Sequence, residues 1–276
     1  MKKSFWIVVL AMLVVASSCS SRLAKLERSN DFDELFKGAV TYYEQGKYSR
    51  AKLLFERMTP YYRGTLEAEK IKFYWAYSEY HSGFYELSAF HFKDFYQTYG
   101  RSIWAEEAEY MHAYSLYRNS PDVNLDQSSS EEAIIAMQNF INRRPGTSYF
   151  QEANRIVGEM QVRFETKAYN TAKLYYKLTQ GMSYRSYLEA ALVTFDTFKL
   201  DFPDSEYNEE LMFLSVETSY KLAANSLERL QDPRYKRTLK YYNSFAARFP
   251  NSQYMPRAIE MFDKTQTELK ELNISY

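Results

Sequence analysis

One piece of punctuation recurs four times along the chain and limits what it can fold into. Tyr99-Gly100-Arg101-Ser102, Arg144-Pro145-Gly146-Thr147, Phe202-Pro203-Asp204-Ser205 and Phe249-Pro250-Asn251-Ser252 share one order. An aromatic or Arg comes first, then Pro or Gly, one intervening residue, and Ser or Thr. An aromatic follows two residues later each time: Trp104, Tyr149, Tyr207 and Tyr254. Pro cannot continue a helix and Gly readily ends one. Ser and Thr cap the helix that follows. Residues 100, 145, 203 and 250 are spaced by 45, 58 and 47, and self-similarity at that period is the signature of a repeat architecture.

Between the breaks the apolar residues keep helical period. Tyr48, Ala51, Leu54, Phe55 and Met58 share one face. Leu188, Ala191, Leu192, Phe195 and Phe198 share another, and so do Leu239, Tyr242, Ala246 and Phe249. A second signal recurs inside the units: a short break, an aromatic, and a small residue three positions on. Gly46-Lys47-Tyr48-Ser49-Arg50-Ala51 and Gly83-Phe84-Tyr85-Glu86-Leu87-Ser88 carry it. Ala168-Tyr169-Asn170-Thr171-Ala172 and Tyr187-Leu188-Glu189-Ala190 echo it. No stretch alternates with period two, so no sheet is expected, and every Pro is read as lying between helices. The pattern resembles tetratricopeptide repeats, with Leu35, Gly38, Ala39, Tyr42, Tyr48, Ala51, Phe55 and Met58 at apolar or small positions. The expected fold is all-α: an α-solenoid of about five helix pairs over residues 32–272, with Pro256 to Leu272 as a C-terminal capping helix. N-terminal repeats would cover about 32–118 and C-terminal repeats about 128–272. Asn119 to Ser130 reads as an insertion, with Ser128 and Glu131, or Ser129 and Glu132, as a capping box after it.

The N-terminus has a basic start (Lys2, Lys3), an apolar run from Phe5 to Val15, and Ala16-Ser17-Ser18-Cys19. That is the layout of a secretory leader, too short to cross a membrane as a helix. Cys19 is the only Cys of the chain and follows the small residues directly. The tetrapeptide resembles a bacterial lipobox, which predicts residues 1–18 as leader, a covalent lipid on Cys19, and residues 19–31 as a polar tether. Loss of Lys2 and Lys3 takes the net charge from zero to −2, which excludes a long-range electrostatic grip on nucleic acid. Ser20 after the Cys, by resemblance to lipoprotein sorting signals, favours the outer membrane.

Taken in order, the lipobox, the tether, the degenerate repeats and the Phe-Pro-Asp/Asn-Ser punctuation resemble the YfiO (BamD, ComL-like) family of outer membrane assembly lipoproteins. Cys19, the Gly46 to Ala51 turn with Leu54-Phe55, Leu125-Asp126-Gln127-Ser128, Phe202 to Tyr207 and Phe249 to Tyr254 carry the resemblance. Gly100 in place of Pro, and the aromatic Tyr110-Met111-His112-Ala113-Tyr114, depart from it. The resemblance implies a non-enzymatic scaffold, anchored by lipid on the periplasmic face of the outer membrane. Its C-terminal repeats would hold POTRA domains of a BamA-like barrel protein, alongside other assembly lipoproteins. Its N-terminal repeats would receive segments of unfolded outer membrane proteins.

A repeat stack offers one continuous face of first helices. Extended, aromatic-rich strand segments suit an aromatic groove, because rings lose little rotamer entropy on binding. Phe36, Val40 and Tyr43, then Tyr74, Tyr77 and His81, are the residues predicted on that face. A core shows the same spacing, but the chain has 27 Tyr, too many hydroxyls to satisfy in a dry interior. Three His without an HExxH spacing, and one Cys, leave no sequence pattern for a metal site. No P-loop, GxGxxG or GxSxG is present, so no cofactor or catalytic residue is predicted. Glu106-Glu107, Glu131-Glu132 and Glu209-Glu210 read as dipole-complementing first turns. The alternatives are another repeat lipoprotein of the envelope, coordinating cell-wall synthesis or division, and a glycan-binding lipoprotein.

Overall fold

The computed structural model describes residues 22–274, apart from residue 66 and residues 181–183. The leader and Cys19 lie outside the described residues. Twelve helices and no strand occur among the described residues. Residues 22–28 form α1. Then come α2 (Phe32–Glu44), α3 (Tyr48–Met58), α4 (Glu67–His81), α5 (Tyr85–Thr98), α6 (Ala105–Asn119) and α7 (Ser128–Arg143). They are followed by α8 (Phe150–Leu178), α9 (Tyr184–Asp201), α10 (Asn208–Ala224), α11 (Glu228–Arg248) and α12 (Met255–Ile274). Consecutive helices pack on one another as tetratricopeptide-like pairs, and α12 closes the series.

Local chemistry starts and stops these helices. The Asp31 carboxylate accepts from the N–H groups of Asp33 and Glu34, both at 3.0 Å, and so caps α2. Leu35, Gly38, Ala39 and Tyr42 line one face of α2 and meet Ala51, Leu54, Phe55 and Met58 of α3. Gly46 (φ +69°) and Gly83 (φ +83°) supply the left-handed residue that turns α2 into α3 and α4 into α5. The small residue of the inner signal does what its size allows: Ala51 is buried, and Ser88 on α5 sits 3.1 Å from Ser115 on α6.

The four punctuation sites adopt one geometry. The N–H that follows each departing helix closes on the carbonyl four residues back, as in Tyr99 to Phe95 and Phe249 to Phe245, both at 2.8 Å. The Ser or Thr hydroxyl then accepts from the N–H of the aromatic two residues on: Trp104, Tyr149, Tyr207 and Tyr254, at 3.1–3.3 Å. Each of those aromatics stacks on a ring of the preceding repeat. Trp104 lies on Phe73, Tyr149 on Tyr110, Tyr207 on Tyr169 and Tyr254 on Phe213, with interplanar angles of 14°, 13°, 15° and 8°. The break therefore ends a helix and fastens adjacent repeats. Its hydroxyl closes the turn that leads into the next helix rather than capping it, since Trp104 and Tyr207, the N-cap residues of α6 and α10, carry no side-chain cap.

Two compact units divide the chain within α8, after Met160. The first holds a core that begins with Leu26, Leu35, Leu54, Phe55, Met58 and Ile71. The second is centred on Leu188, Leu192, Phe195, Phe198, Phe213 and Phe245.

Four local expectations fail. Ala168 to Ala172 lies inside the 29-residue α8, with no break, because no Gly there offers positive φ. Pro233 lies within α11, and Pro256 in the first turn of α12, where a missing N–H costs least. The capping box at Ser128 or Ser129 does not form. Asp126 accepts from the Ser128 N–H at 3.0 Å instead. Buried Gln127 donates to the Asp122 and Leu125 carbonyls and accepts from the Ser130 hydroxyl at 2.8 Å. The inserted loop needs that side chain to satisfy its own backbone. Finally, the stretch read as tether is partly docked: Leu26 is 4 % exposed and packs over Gly38.

Candidate peptide-binding surface

The first helices of the pairs in the first unit, α2, α4 and α6, share a face. All six sequence-predicted residues sit on α2 or α4. Phe36, Val40, Tyr43 and Tyr74 are half-buried against the core, Tyr77 is half-buried, and His81 is exposed. Tyr43 stacks on Tyr74 across the two helices, with centroids 4.7 Å apart. Tyr48, from the start of α3, meets Tyr43 at 5.5 Å and stacks on His81 at 4.3 Å. His81 also stacks on Tyr77, at 5.9 Å. The structure therefore joins Tyr43, Tyr74, Tyr77 and His81 into one band. Phe36 stands at its edge beside Tyr62 (6.4 Å), with the Lys70 ammonium 5.6 Å from the Phe36 ring and 5.5 Å from that of Tyr74. Val40 adds packing rather than a ring contact.

Tyr77 also touches the interior, edge-on to Phe73 at 5.0 Å and Phe92 at 4.9 Å. Its hydroxyl donates to the Glu107 carboxylate at the start of α6. Burial raises the Tyr77 hydroxyl far above the ordinary phenol value, and the Glu107 bond adds to the rise. Burial does the same for Tyr43, with Tyr48, Tyr74 and Glu107 contributing. Both hydroxyls are therefore donors at any physiological pH. Desolvation lowers His81 below the ordinary imidazole value, which keeps its ring neutral.

The band continues onto α6. Tyr80 lies 6.0 Å from Tyr114 and 5.4 Å from Tyr85. Arg118 donates to the hydroxyls of Tyr85 (3.0 Å) and Tyr80 (3.4 Å). Burial, with Tyr114 beside it, pushes Tyr80 up to about 12. Sequence reasoning did not assign Tyr48, Lys70, Tyr80, Glu107, Tyr114 or Arg118 to this face. Glu107 had a legible signal: Trp104-Ala105-Glu106-Glu107 matches Tyr207-Asn208-Glu209-Glu210, and Glu210 likewise accepts from Tyr169, at 2.5 Å.

Such a surface offers ring faces, hydroxyl donors and a few cations, the set that suits an extended peptide with aromatic side chains. Among the described residues no group of three His, Cys, Asp or Glu could hold a metal ion. No helix among them is long and apolar enough to cross a membrane.

The sequence profile of the YfiO family, described as outer membrane lipoprotein, matches residues 28–184. The chain belongs to the YfiO outer membrane lipoprotein family. No curated protein matches it. The YfiO match takes in α2 to α8 and ends where α9 begins, so the aromatic face lies wholly inside it. As a YfiO-family chain of helical repeats, the protein is of a kind that typically scaffolds rather than catalyses.

Proposed function

We propose that this YfiO-family chain is a scaffold of outer membrane protein assembly. An acylated Cys19 would hold it at the periplasmic face of the outer membrane. The α2–α4–α6 face receives extended segments of unfolded outer membrane proteins, and the C-terminal repeats dock POTRA domains of a BamA-like barrel protein. The observation that carries the reading is the band of half-exposed rings shared between successive first helices. Barrel strands alternate apolar and polar residues and end in aromatic girdles, so their side chains meet rings while their backbone meets hydroxyls and His81. The role needs binding alone.

The test is fluorescence anisotropy with a peptide copying the last strand of an outer membrane barrel. Replacing both Tyr43 and His81 with Ala should weaken binding at least tenfold, as expected when about 1.4 kcal/mol of contact is removed. A thermal melt controls for folding. Unchanged affinity in a folded double variant would refute the assignment of this face.

A further inference from the structure

The helix α1 carries a charge pattern that the peptide-binding reading does not use. Arg22, Lys25 and Arg28 occur every third residue and all three are exposed. Leu26 is buried and Leu23 is half-buried against the core cluster of the first unit. The helix is fastened at two points. Leu26 approaches the Gly38 backbone so closely that a Cβ there would lie 2.7 Å from its Cδ1. The Arg57 guanidinium, from α3, donates to the carbonyls of Leu26 (3.2 Å) and Ser29 (2.7 Å) and so closes the C-terminal end of α1. The three basic side chains thus project from a helix fixed to the repeats. Glu27 is the only acidic residue of α1. Asp31, just beyond it, is committed to capping α2.

We infer that α1 is a docking surface for anionic phospholipid headgroups, which sets how the first unit meets the bilayer. The inference rests on the lipid-anchor reading of Cys19. Only Ser20 and Ser21 lie between Cys19 and Arg22, a reach of at most about 11 Å. A lipid on Cys19 therefore keeps Arg22, Lys25 and Arg28 within a Debye length or two of the headgroups. Basic side chains near a negative leaflet are attracted to it, with a strength that falls as salt rises. The acyl chains would give affinity and the basic row would give orientation. A polar leash without α1 would let the first unit swing. A docked α1 holds it with one side to the membrane.

The test uses the full mature chain carrying Cys19→Ser, so that no acyl chain masks a weak contact. Sedimentation with vesicles of phosphatidylethanolamine and phosphatidylglycerol should retain it at low salt, and pure phosphatidylcholine vesicles should not. Replacing Arg22, Lys25 and Arg28 together with Gln should lower partitioning on the order of 100-fold, about fivefold for each charge. Glu27→Gln should raise it by up to about fivefold on the same basis. Equal retention by the two lipids, or undiminished retention of the triple variant, would overturn the inference. Fractionation of cells expressing the unmutated chain reads the anchor separately. Membrane release without vesicle binding discards both ideas. A lipidated protein whose Cys19→Ser form ignores anionic vesicles discards only this one. Vesicle binding by a chain that carries no lipid discards only the anchor.

Discussion

In the first unit the Tyr77 hydroxyl on α4 donates to Glu107 on α6. In the second, Tyr169 on α8 donates to Glu210 on α10. The two acceptors occupy the same place in the repeat, three residues after the stacking rings Trp104 and Tyr207. But Tyr169 is itself the ring under Tyr207, whereas Tyr77 lies one turn beyond Phe73, the ring under Trp104, and their surroundings differ. Glu107 has Tyr43 and Tyr149 nearby and no ion-pair partner among the described residues. Glu210 also pairs with Lys173. Two turns further along α10, Glu217 takes Lys221 at 2.8 Å and Arg257 at 3.1 Å. All three His of the chain lie in the first unit. The same fastening device thus supports an aromatic face in one unit and an ion-laced one in the other. Under the proposed role, that separation would give extended segments the aromatic face and a folded partner the ion-laced one.

The largest expected effect tests whether the scaffold is common to both. Phe73 and Phe213 are buried rings under Trp104 and Tyr254. Phe73→Ala and Phe213→Ala should each cost about 3–5 kcal/mol in urea unfolding, the range for deleting a buried Phe. Similar losses would show that stacking fastens both units. A cost below about 1 kcal/mol in either would break the equivalence.

The next effect separates the faces. Tyr77→Phe removes the hydroxyl that hydrogen-bonds Glu107 and should cost about 1.5–3 kcal/mol, as for a bond to a charged group. Tyr169→Phe leaves Glu210 with Lys173 and should cost less, about 0.5–1 kcal/mol. Equal costs would mean that the ion pair does not substitute for the hydroxyl.

How far this architecture was legible can be judged residue by residue. Pro203 and Tyr207 announce a helix end and a packing ring, and Ser205 a turn, though it closes on the Tyr207 N–H instead of capping α10, because each acts within a few residues of itself. Gly46 and Gly83 mark their turns because no other residue type is comfortable there. What the sequence hid depends on partners distant along the chain. Leu26 looked like part of a polar leash, since its docking depends on Gly38 and Arg57, 12 and 31 residues away. Gln127 could not be told from its Ser neighbours as the residue that closes the insertion. Of the candidate face, the helix and the register were readable for Phe36, Val40, Tyr43, Tyr74, Tyr77 and His81. Tyr77's second role, edge-on to the core, was not, because a helical face does not reveal which side of a ring is covered. Glu107 was missed because acidic residues in a first turn have a sufficient local explanation in the helix dipole.

Acid should also separate the units. Burial holds His112 below the ordinary imidazole value, while its bond to the Ala89 carbonyl, 2.9 Å from Nδ1, opposes the shift. A neutral folded His112 contributes stability that is complete above its unfolded value, near 6.5, and is lost as the pH falls through its lower folded value. Desolvation lowers His91 and His81 as well, so they act in the same direction. Glu210 behaves differently. Burial pushes its pKa up, but the bonds from Lys173 and Tyr169 outweigh burial and hold it below the ordinary carboxylate value. Its contribution persists until the pH drops below about 4.5 and is lost through the folded value below that. Hydrogen exchange, corrected for intrinsic rates, should therefore show α4–α6 loosening between pH 7 and 5 while α10 holds. His112→Gln should flatten the first response. Parallel loosening of both units over that range would sink the distinction.

The smallest expected effect concerns salt. Lys221 and Arg257 are substantially exposed, whereas the Glu217 side chain is 12 % exposed, so Glu217 sits under its partners rather than in open solvent. Screening weakens such pairs without abolishing them. Glu217→Gln should cost about 0.5–1 kcal/mol at low salt, near the upper end for surface pairs. The cost should shrink toward zero as ionic strength approaches about 1 M, where the Debye length falls to about 3 Å. Tyr43→Phe in the first unit offers the contrast. It keeps the ring stacked on Tyr74 and alters no ion pair, so its cost should not change with salt. If the Glu217 variant shows no salt dependence, the ion network is incidental and the second unit's face is not electrostatic in character. If Tyr43→Phe shows salt dependence, the band around Tyr43 and Glu107 carries more charge than its rings suggest, and the contrast between the two faces fails from the other side.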